Sequence, residues 1–141
     1  MIEKKIDWKE CCDKRIAKRI APDTNLINSL KKTSHNKLKS SEELSTSEVT
    51  ASSKFILAYD SLRELLEALA LTKGFKIYNH ECYTSFLNEI MNESIKAEEF
   101  DEIRKIRNKI NYYGEELDIE DSQDQLNKIR SIRNFILNLL K

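Results

Sequence analysis

Residues 48–73 carry apolar side chains at helical spacing over a wide face, and this stretch organises the rest of the chain. Its apolar members are Phe55, Ile56, Tyr59, Leu62, Leu65, Leu66, Leu69 and Ala70. A recurrence every three to four residues indicates a helix, and a wide apolar face requires neighbours on several sides. Gly74 follows directly, where a helix commonly ends. We therefore predict a central helix of a helical bundle.

The remaining segments also favour helices. The chain has only two glycines and one proline in 141 residues, and 40% of its residues are hydrophobic. This composition is typical of a helical protein of one domain. We predict an all-α fold, an antiparallel up-and-down bundle of four to five helices. The bundle helices are expected in residues 22–39, 48–73, 80–93, 98–116 and 124–141.

Residues 1–21 are expected to form a basic N-terminal arm or a short helix ahead of the bundle, which spans residues 22–141. Asp7 can cap a short helical turn that starts at Trp8, whereas residues 15–20 suit an extended or a helical conformation. Trp8 is expected to pack onto the bundle or onto a second chain. The basic side chains here either form a solvated arm or bind a partner, and they are Lys14, Arg15, Lys18 and Arg19.

The charges balance overall but are unevenly distributed. Basic and acidic residues number 24 each, so the net charge alone does not predict binding to nucleic acid or membrane. Residues 1–40 hold 11 basic and 5 acidic residues, whereas residues 41–102 hold 5 and 13. Such blocks are typical of complementary partner surfaces, although solvated segments give the same count.

The cysteines and the hydropathy indicate an intracellular protein. Cys11, Cys12 and Cys82 are too few and too irregularly spaced for a disulfide framework or a zinc site. We expect them to be thiols in a reducing cytosol. The sequence shows no signal peptide and no long apolar run, so the expected location is cytoplasmic, with no membrane association.

Residues 103–114 carry the least ordinary chemistry of the chain. The apolar stripe of this predicted helix consists of Ile103, Ile106, Ile110 and Leu117. Arg107 lies about 40° from that stripe, and Arg104, Asn108 and Asn111 spread further along the same flank. Guanidinium and amide groups at the border of a core suit a phosphate or another chain. A solvated cationic flank is the alternative.

The same segment resembles a known family. Arg107 and Asn108, followed by the aromatic pair Tyr112 and Tyr113, resemble the arginine–asparagine motif of HEPN domains, the higher-eukaryote and prokaryote nucleotide-binding family. Residues 59–75 and 80–87 resemble the second helix of that family and the start of its third. The resemblance covers roughly residues 22–141 and implies a HEPN-like helical bundle that pairs as a homodimer.

The nuclease members of the family carry a histidine a few residues after the arginine, and this chain departs from that pattern. Tyr112 occupies the histidine position. A tyrosine phenol ordinarily titrates near pH 10, roughly three and a half units above an imidazole, so it is a poor base at neutral pH. His80 is the candidate replacement, with a helix-capping or core-edge role as the alternative.

The spacing adds a geometric condition on any cooperation between Arg107 and Tyr112. Side chains five residues apart on a straight helix point about 140° from each other. On this argument the two groups meet only if the helix bends or ends between them, or if two chains meet. The family resemblance implies the second arrangement, with paired motifs lining a cleft between protomers.

These observations give three expectations of function. The first is a nucleotide- or RNA-binding module, a homodimer that partners a minimal nucleotidyltransferase in a toxin–antitoxin pair. Its expected binding residues are Arg104, Arg107, Asn108, Asn111 and Tyr112. The second is a metal-independent ribonuclease that uses Arg107 with Tyr112 or His80. The third is a purely structural dimerisation protein. No cofactor or metal is expected, because the sequence lacks a glycine-rich phosphate loop, a nucleophile elbow and metal-ligand spacing.

Overall fold

The structure is a computed structural model that describes residues 4–141. These residues form a mostly helical body with about five main helices packed together and one two-stranded sheet. In chain order the elements are α1 (Trp8–Asp13), β1 (Ala17–Arg19), α2 (Thr24–Glu43), α3 (Ala51–Thr72), β2 (Phe75–Ile77), α4 (Glu81–Ser85, continued by a π-helical turn over Phe86–Ile90), α5 (Ser94–Tyr113) and α6 (Ile119–Leu139). Among the described residues, no helix combines the length and apolar character needed to cross a bilayer.

The central helix is α3, and the prediction of this element is confirmed. Its apolar side chains are buried on several sides, including Phe55, Tyr59, Leu62 and Leu65, none of which is exposed to solvent. The helices α2 and α6 make its most extensive contacts. Gly74 follows with a φ of 85°, a left-handed conformation that glycine adopts without a steric penalty.

The N-terminal segment packs onto this body. The side chain of Asp7 accepts a 2.8 Å hydrogen bond from the backbone N–H of Glu10, which caps α1 as expected. Trp8 lies edge-on to Phe75, with their ring centroids 5.1 Å apart. The next residues are extended: β1 pairs antiparallel with β2, and Ala17 lies opposite Ile77.

A disulfide joins Cys11 of α1 to Cys82 of α4, 71 residues apart in sequence. Both cysteines are fully buried, whereas Cys12 is an exposed free thiol. This pairing differs from the expectation of reduced thiols. The spacing of the cysteines gave no indication of it, because α1 and α4 are brought together only by tertiary packing.

Helix α5 begins earlier than the sequence pattern predicted, at Ser94 instead of residue 98. Asp101 consequently lies in the second turn of the helix and not in its first turn. Its carboxylate is buried and accepts hydrogen bonds from Thr84 (3.1 Å) and from Arg104 Nε (3.0 Å). The helix ends at Gly114, which has a φ of 66°.

Candidate functional site

An open groove of about 370 Å³ lies between α5 and the segment that leads from β2 into α4. Residues 78–81 form one wall. The α5 wall consists of Arg104, Arg107, Asn108 and Tyr112. Four of the five expected binding residues therefore lie together, and they share the groove with His80.

The guanidinium of Arg107 is half-buried and is held between two tyrosines. Its central carbon lies 5.7 Å from the ring centroid of Tyr59 and 5.7 Å from that of Tyr112. Nη1 donates to Asn108 Oδ1 at 3.3 Å and to the Tyr112 hydroxyl at 3.4 Å. Both of these long hydrogen bonds use Nη1, so the edge formed by Nε and Nη2 can serve an anion in a bidentate manner.

His80 occupies the N-cap position of α4, but its imidazole does not cap the helix. The side chain of Asn79 does so instead, because it accepts a 2.9 Å hydrogen bond from the backbone N–H of Cys82. The imidazole Nδ1 shares a 2.8 Å hydrogen bond with the hydroxyl of Tyr59. The backbone at the N-terminus of α4 and the hydroxyl of Tyr59 on α3 together fix the imidazole ring at the side of the groove.

Both partners of this hydrogen bond are held in their neutral forms. Burial, followed by the positive charges of Arg107, Arg63 and Arg104, lowers the pKa of His80 to about 4. Burial also raises the pKa of Tyr59 well above its ordinary value, although the nearby arginines act in the opposite direction. At neutral pH the groove therefore presents an uncharged imidazole beside a guanidinium.

Arg104 is positioned by a buried acid. Its Nη2 lies 2.9 Å from Asp101 Oδ1, and both side chains are largely shielded from solvent. Burial alone would raise the pKa of Asp101, but the charge and hydrogen bond of Arg104, with help from Thr84 and Lys105, outweigh burial and lower it. Arg104 thus has a partner already, which leaves Arg107 as the cation with more capacity for a ligand.

The other expected residues are placed differently. Asn111 is exposed on α5 and is not among the residues that line the groove. Tyr112 reaches Arg107 within one chain, although α5 stays helical through Tyr113. The contact needs neither a bend nor a second chain, because the two long side chains span the turn between them. The geometric condition drawn from the spacing was therefore wrong for this pair.

Two residues that shape the site, Tyr59 behind the groove and Tyr78 in its lining, were not expected from the sequence. Tyr59 was assigned only to packing, yet its hydroxyl holds His80 and its ring lies under Arg107. A tyrosine on a core stripe requires a hydrogen-bond partner, and that requirement was the available signal. Tyr78 lies in a predicted connector, and its side chain is 61% exposed.

A larger cavity of about 470 Å³ lies between the N-terminal segment and the helices α4 and α5. Its charged lining residues are Lys5, Asp7, Glu89 and Glu98. Asp7 and Glu89 already accept backbone hydrogen bonds in α1. The excess of acids disfavours an anion, so we place the candidate site in the smaller groove.

Comparison of the chain with family models, with curated proteins and with solved structures gave no match. Function is therefore inferred from the groove itself. Within residues 4–141, no group of three or more histidine, cysteine or acidic side chains is arranged to hold a metal ion. The groove offers a fixed guanidinium, an amide, a neutral imidazole and exposed aromatic rings, which together suit a phosphate attached to a base or sugar.

Proposed function

We propose that this protein is a HEPN-like module, an antiparallel helical bundle that binds RNA or a nucleotide through the groove at Arg107. The observation that carries the proposal is the half-buried guanidinium held between Tyr59 and Tyr112, with one edge available. A fixed and partly desolvated arginine loses little conformational entropy when it binds a phosphate. An arginine that extended freely into solvent would not have this advantage.

Binding is tested with a fluorescently labelled single-stranded RNA of about ten nucleotides, a length sufficient for a compact groove. We expect Arg107→Ala to weaken binding about tenfold or more, since a charge-assisted hydrogen bond contributes about 1.5–3 kcal/mol. Arg130→Ala is the matched control. Arg130 lies on α6 and contacts Asn127 and Glu42 outside the groove. Equal effects of the two substitutions would contradict the proposal.

A second candidate function, metal-independent cleavage of RNA, is favoured by the presence of His80 in the same groove. In the tautomer whose Nδ1–H donates to Tyr59, the free Nε2 can accept the proton of a ribose 2′-hydroxyl. The 2′-oxygen then bonds to phosphorus, the bond to the 5′-oxygen breaks, and the departing oxygen takes a proton from the imidazolium. Arg107 would neutralise the charge that develops on the phosphoryl oxygens. Tyr112 is less suited to the role of base.

The binding module and the ribonuclease are distinguished by whether the protein cleaves RNA. Cleavage that persists in EDTA, yields a cyclic phosphate and disappears in both Arg107→Ala and His80→Ala would establish the ribonuclease. Binding that requires Arg107, without cleavage by the unmodified protein, would establish the module. His35→Ala is the control for the second substitution, because His35 is exposed on α2 and is not among the groove residues.

The resemblance to HEPN domains also motivates proposals about assembly and location. We propose a cytoplasmic homodimer whose two grooves face a shared cleft, with a minimal nucleotidyltransferase as a further partner. The Cys11–Cys82 disulfide is unusual for a reducing compartment, and the burial of both cysteines would protect it from reduction there. Sedimentation velocity of the purified protein tests the first point, and co-purification with a nucleotidyltransferase encoded nearby tests the second. If the protein is monomeric at all concentrations tested, both the shared cleft and the purely structural dimerisation role lose support.

A further inference from the structure

A basic and aromatic surface adjoins the groove, and it includes Lys18, one of the basic residues for which the sequence left a solvated arm or partner binding open. The register of the sheet places Lys18 of β1 directly opposite Lys76 of β2. Both ammonium groups lie over the ring of Tyr78, with Nζ at 5.2 Å from the centroid for Lys18 and 6.0 Å for Lys76. Like charges placed directly across a strand pair repel each other. An anion bound here would relieve that repulsion.

Tyr78 connects this surface to the groove. Its backbone N–H donates to the carbonyl of Ile16 at 2.8 Å, which fixes the residue at the end of the sheet. Its side chain is exposed, and it is also one of the residues that line the groove of Arg107. Tyr78 therefore contacts two lysines and also lines the groove that holds Arg107.

We propose that Tyr78 is a stacking platform for an unpaired base, so that the groove binds single-stranded RNA more tightly than a mononucleotide. This inference rests on the proposed binding of a phosphate at Arg107. One phosphate binds Arg107, the base of a neighbouring nucleotide stacks on Tyr78, and the strand continues toward Lys18 and Lys76. Alternating aromatic and cationic side chains are how proteins bind single strands without reading sequence.

The lysines do not prevent stacking. A lysine near an exposed ring is held only weakly, and its four-carbon stem can turn the ammonium toward a phosphate. Lys76 also lies 3.3 Å from Glu67, which restrains it, whereas Lys18 is exposed and has more freedom to move. A double helix is disfavoured because its bases are already stacked on each other and cannot lie on the ring.

The test compares four proteins with one labelled, unstructured RNA of about ten nucleotides and with AMP. We expect Tyr78→Ala to weaken RNA binding by about 5- to 150-fold, which corresponds to one lost base–aromatic stack. Tyr78→Phe should retain the affinity, because the ring remains. AMP binding should fall in Arg107→Ala and stay unchanged in Tyr78→Ala. The unmodified protein should bind the same RNA more weakly when it is annealed to its complement.

The dependence of RNA affinity on salt distinguishes a phosphate contact made by Lys18 from base stacking on Tyr78. Lys18→Ala should reduce the slope of log affinity against log salt by about 0.7, the value for one phosphate of a single strand, whereas Tyr78→Ala should leave the slope unchanged. RNA binding that depends on Arg107 but is equal in Tyr78→Ala and the unmodified protein would overturn this inference alone. Failure of the unmodified protein to bind either RNA or AMP would overturn the proposed function together with it.

Discussion

At the scale of single residues, buried side chains hold Arg107 and the groups around it in place. Tyr59 supplies a ring beneath the guanidinium and a hydroxyl for His80, so one buried residue positions both groups. The buried Asp101 positions Arg104 on the same wall of the groove. The groove is therefore organised from the core outward, and its chemistry is fixed before any ligand arrives.

The first prediction concerns Asp101. We expect Asp101→Asn to lower the free energy of unfolding by about 3 kcal/mol at pH 7, since removing one charge of a buried pair leaves the other without compensation. Its lowered pKa means that the stabilisation is complete above about pH 4, the ordinary value for an aspartate, and is lost as pH falls through the folded-state pKa. Urea unfolding between neutral pH and pH 3 measures this difference.

The control for this substitution is Asp124→Asn, because Asp124 is exposed on α6. We expect its effect to stay within about 0.5 kcal/mol across the same pH range. A destabilisation by Asp101→Asn that persisted unchanged at low pH would point to packing and not to the ion pair.

At the scale of elements, the N-terminal segment is tied to the wall of the groove. The Cys11–Cys82 disulfide joins α1 to α4 two residues after His80. Trp8 adds a further contact, since its ring centroid lies 5.9 Å from that of Phe86. Removal of the disulfide is expected to act on the stability of the chain more than on its architecture, because these other contacts remain.

The second prediction measures that bond. Closing a loop of 71 residues restricts the unfolded chain, and the chain-entropy relation gives about 4 kcal/mol for this length. We expect the double substitution Cys11→Ala and Cys82→Ala to lower the free energy of unfolding by up to about that amount. Reduction with dithiothreitol should have a similar effect. Cys12→Ala leaves the disulfide intact and should not change the free energy of unfolding. Equal stability of all these forms would show that the disulfide does not form in solution.

The sequence predicted elements whose signals are local. The bounds of α3 differ from the prediction by only a few residues, and the cap supplied by Asp7 is confirmed, because a cap acts within one turn. The early start of α5 was missed, since its N-cap residue Glu93 makes no side-chain capping bond that would mark it.

Long-range features were not predictable in this way. The strands β1 and β2 have three residues each, and the helices α2 and α3 separate them in sequence. No hairpin turn therefore joins them, and the sequence carries no local signal that they pair. The meeting of Tyr59, His80 and Arg107 likewise requires three separate elements to pack together. The sequence pointed to Arg107 and to its neighbours on α5, whereas the contacts of Tyr59 with His80 and Arg107 could not be read from it.

At the scale of the whole molecule, the net charge is zero, so attraction of RNA must be local to the groove and the adjoining lysines. The third prediction follows from this. If Arg107, Lys18 and Lys76 each neutralise one phosphate, the slope of log affinity against log salt should be about −2, at about 0.7 per phosphate of a single strand. Anisotropy titrations across a series of salt concentrations measure it. A slope near zero would argue against phosphate contacts.

The most direct test of the central claim follows the two histidines of the chain by NMR as pH is varied. Without ligand, His80 should titrate near its lowered pKa of about 4, and exposed His35 serves as the internal reference. A phosphate bound at Arg107 would offset the positive charge that disfavours the imidazolium, so single-stranded RNA should raise the pKa of His80 in the unmodified protein and not in Arg107→Ala. An unchanged pKa of His80 at saturating RNA would contradict the account.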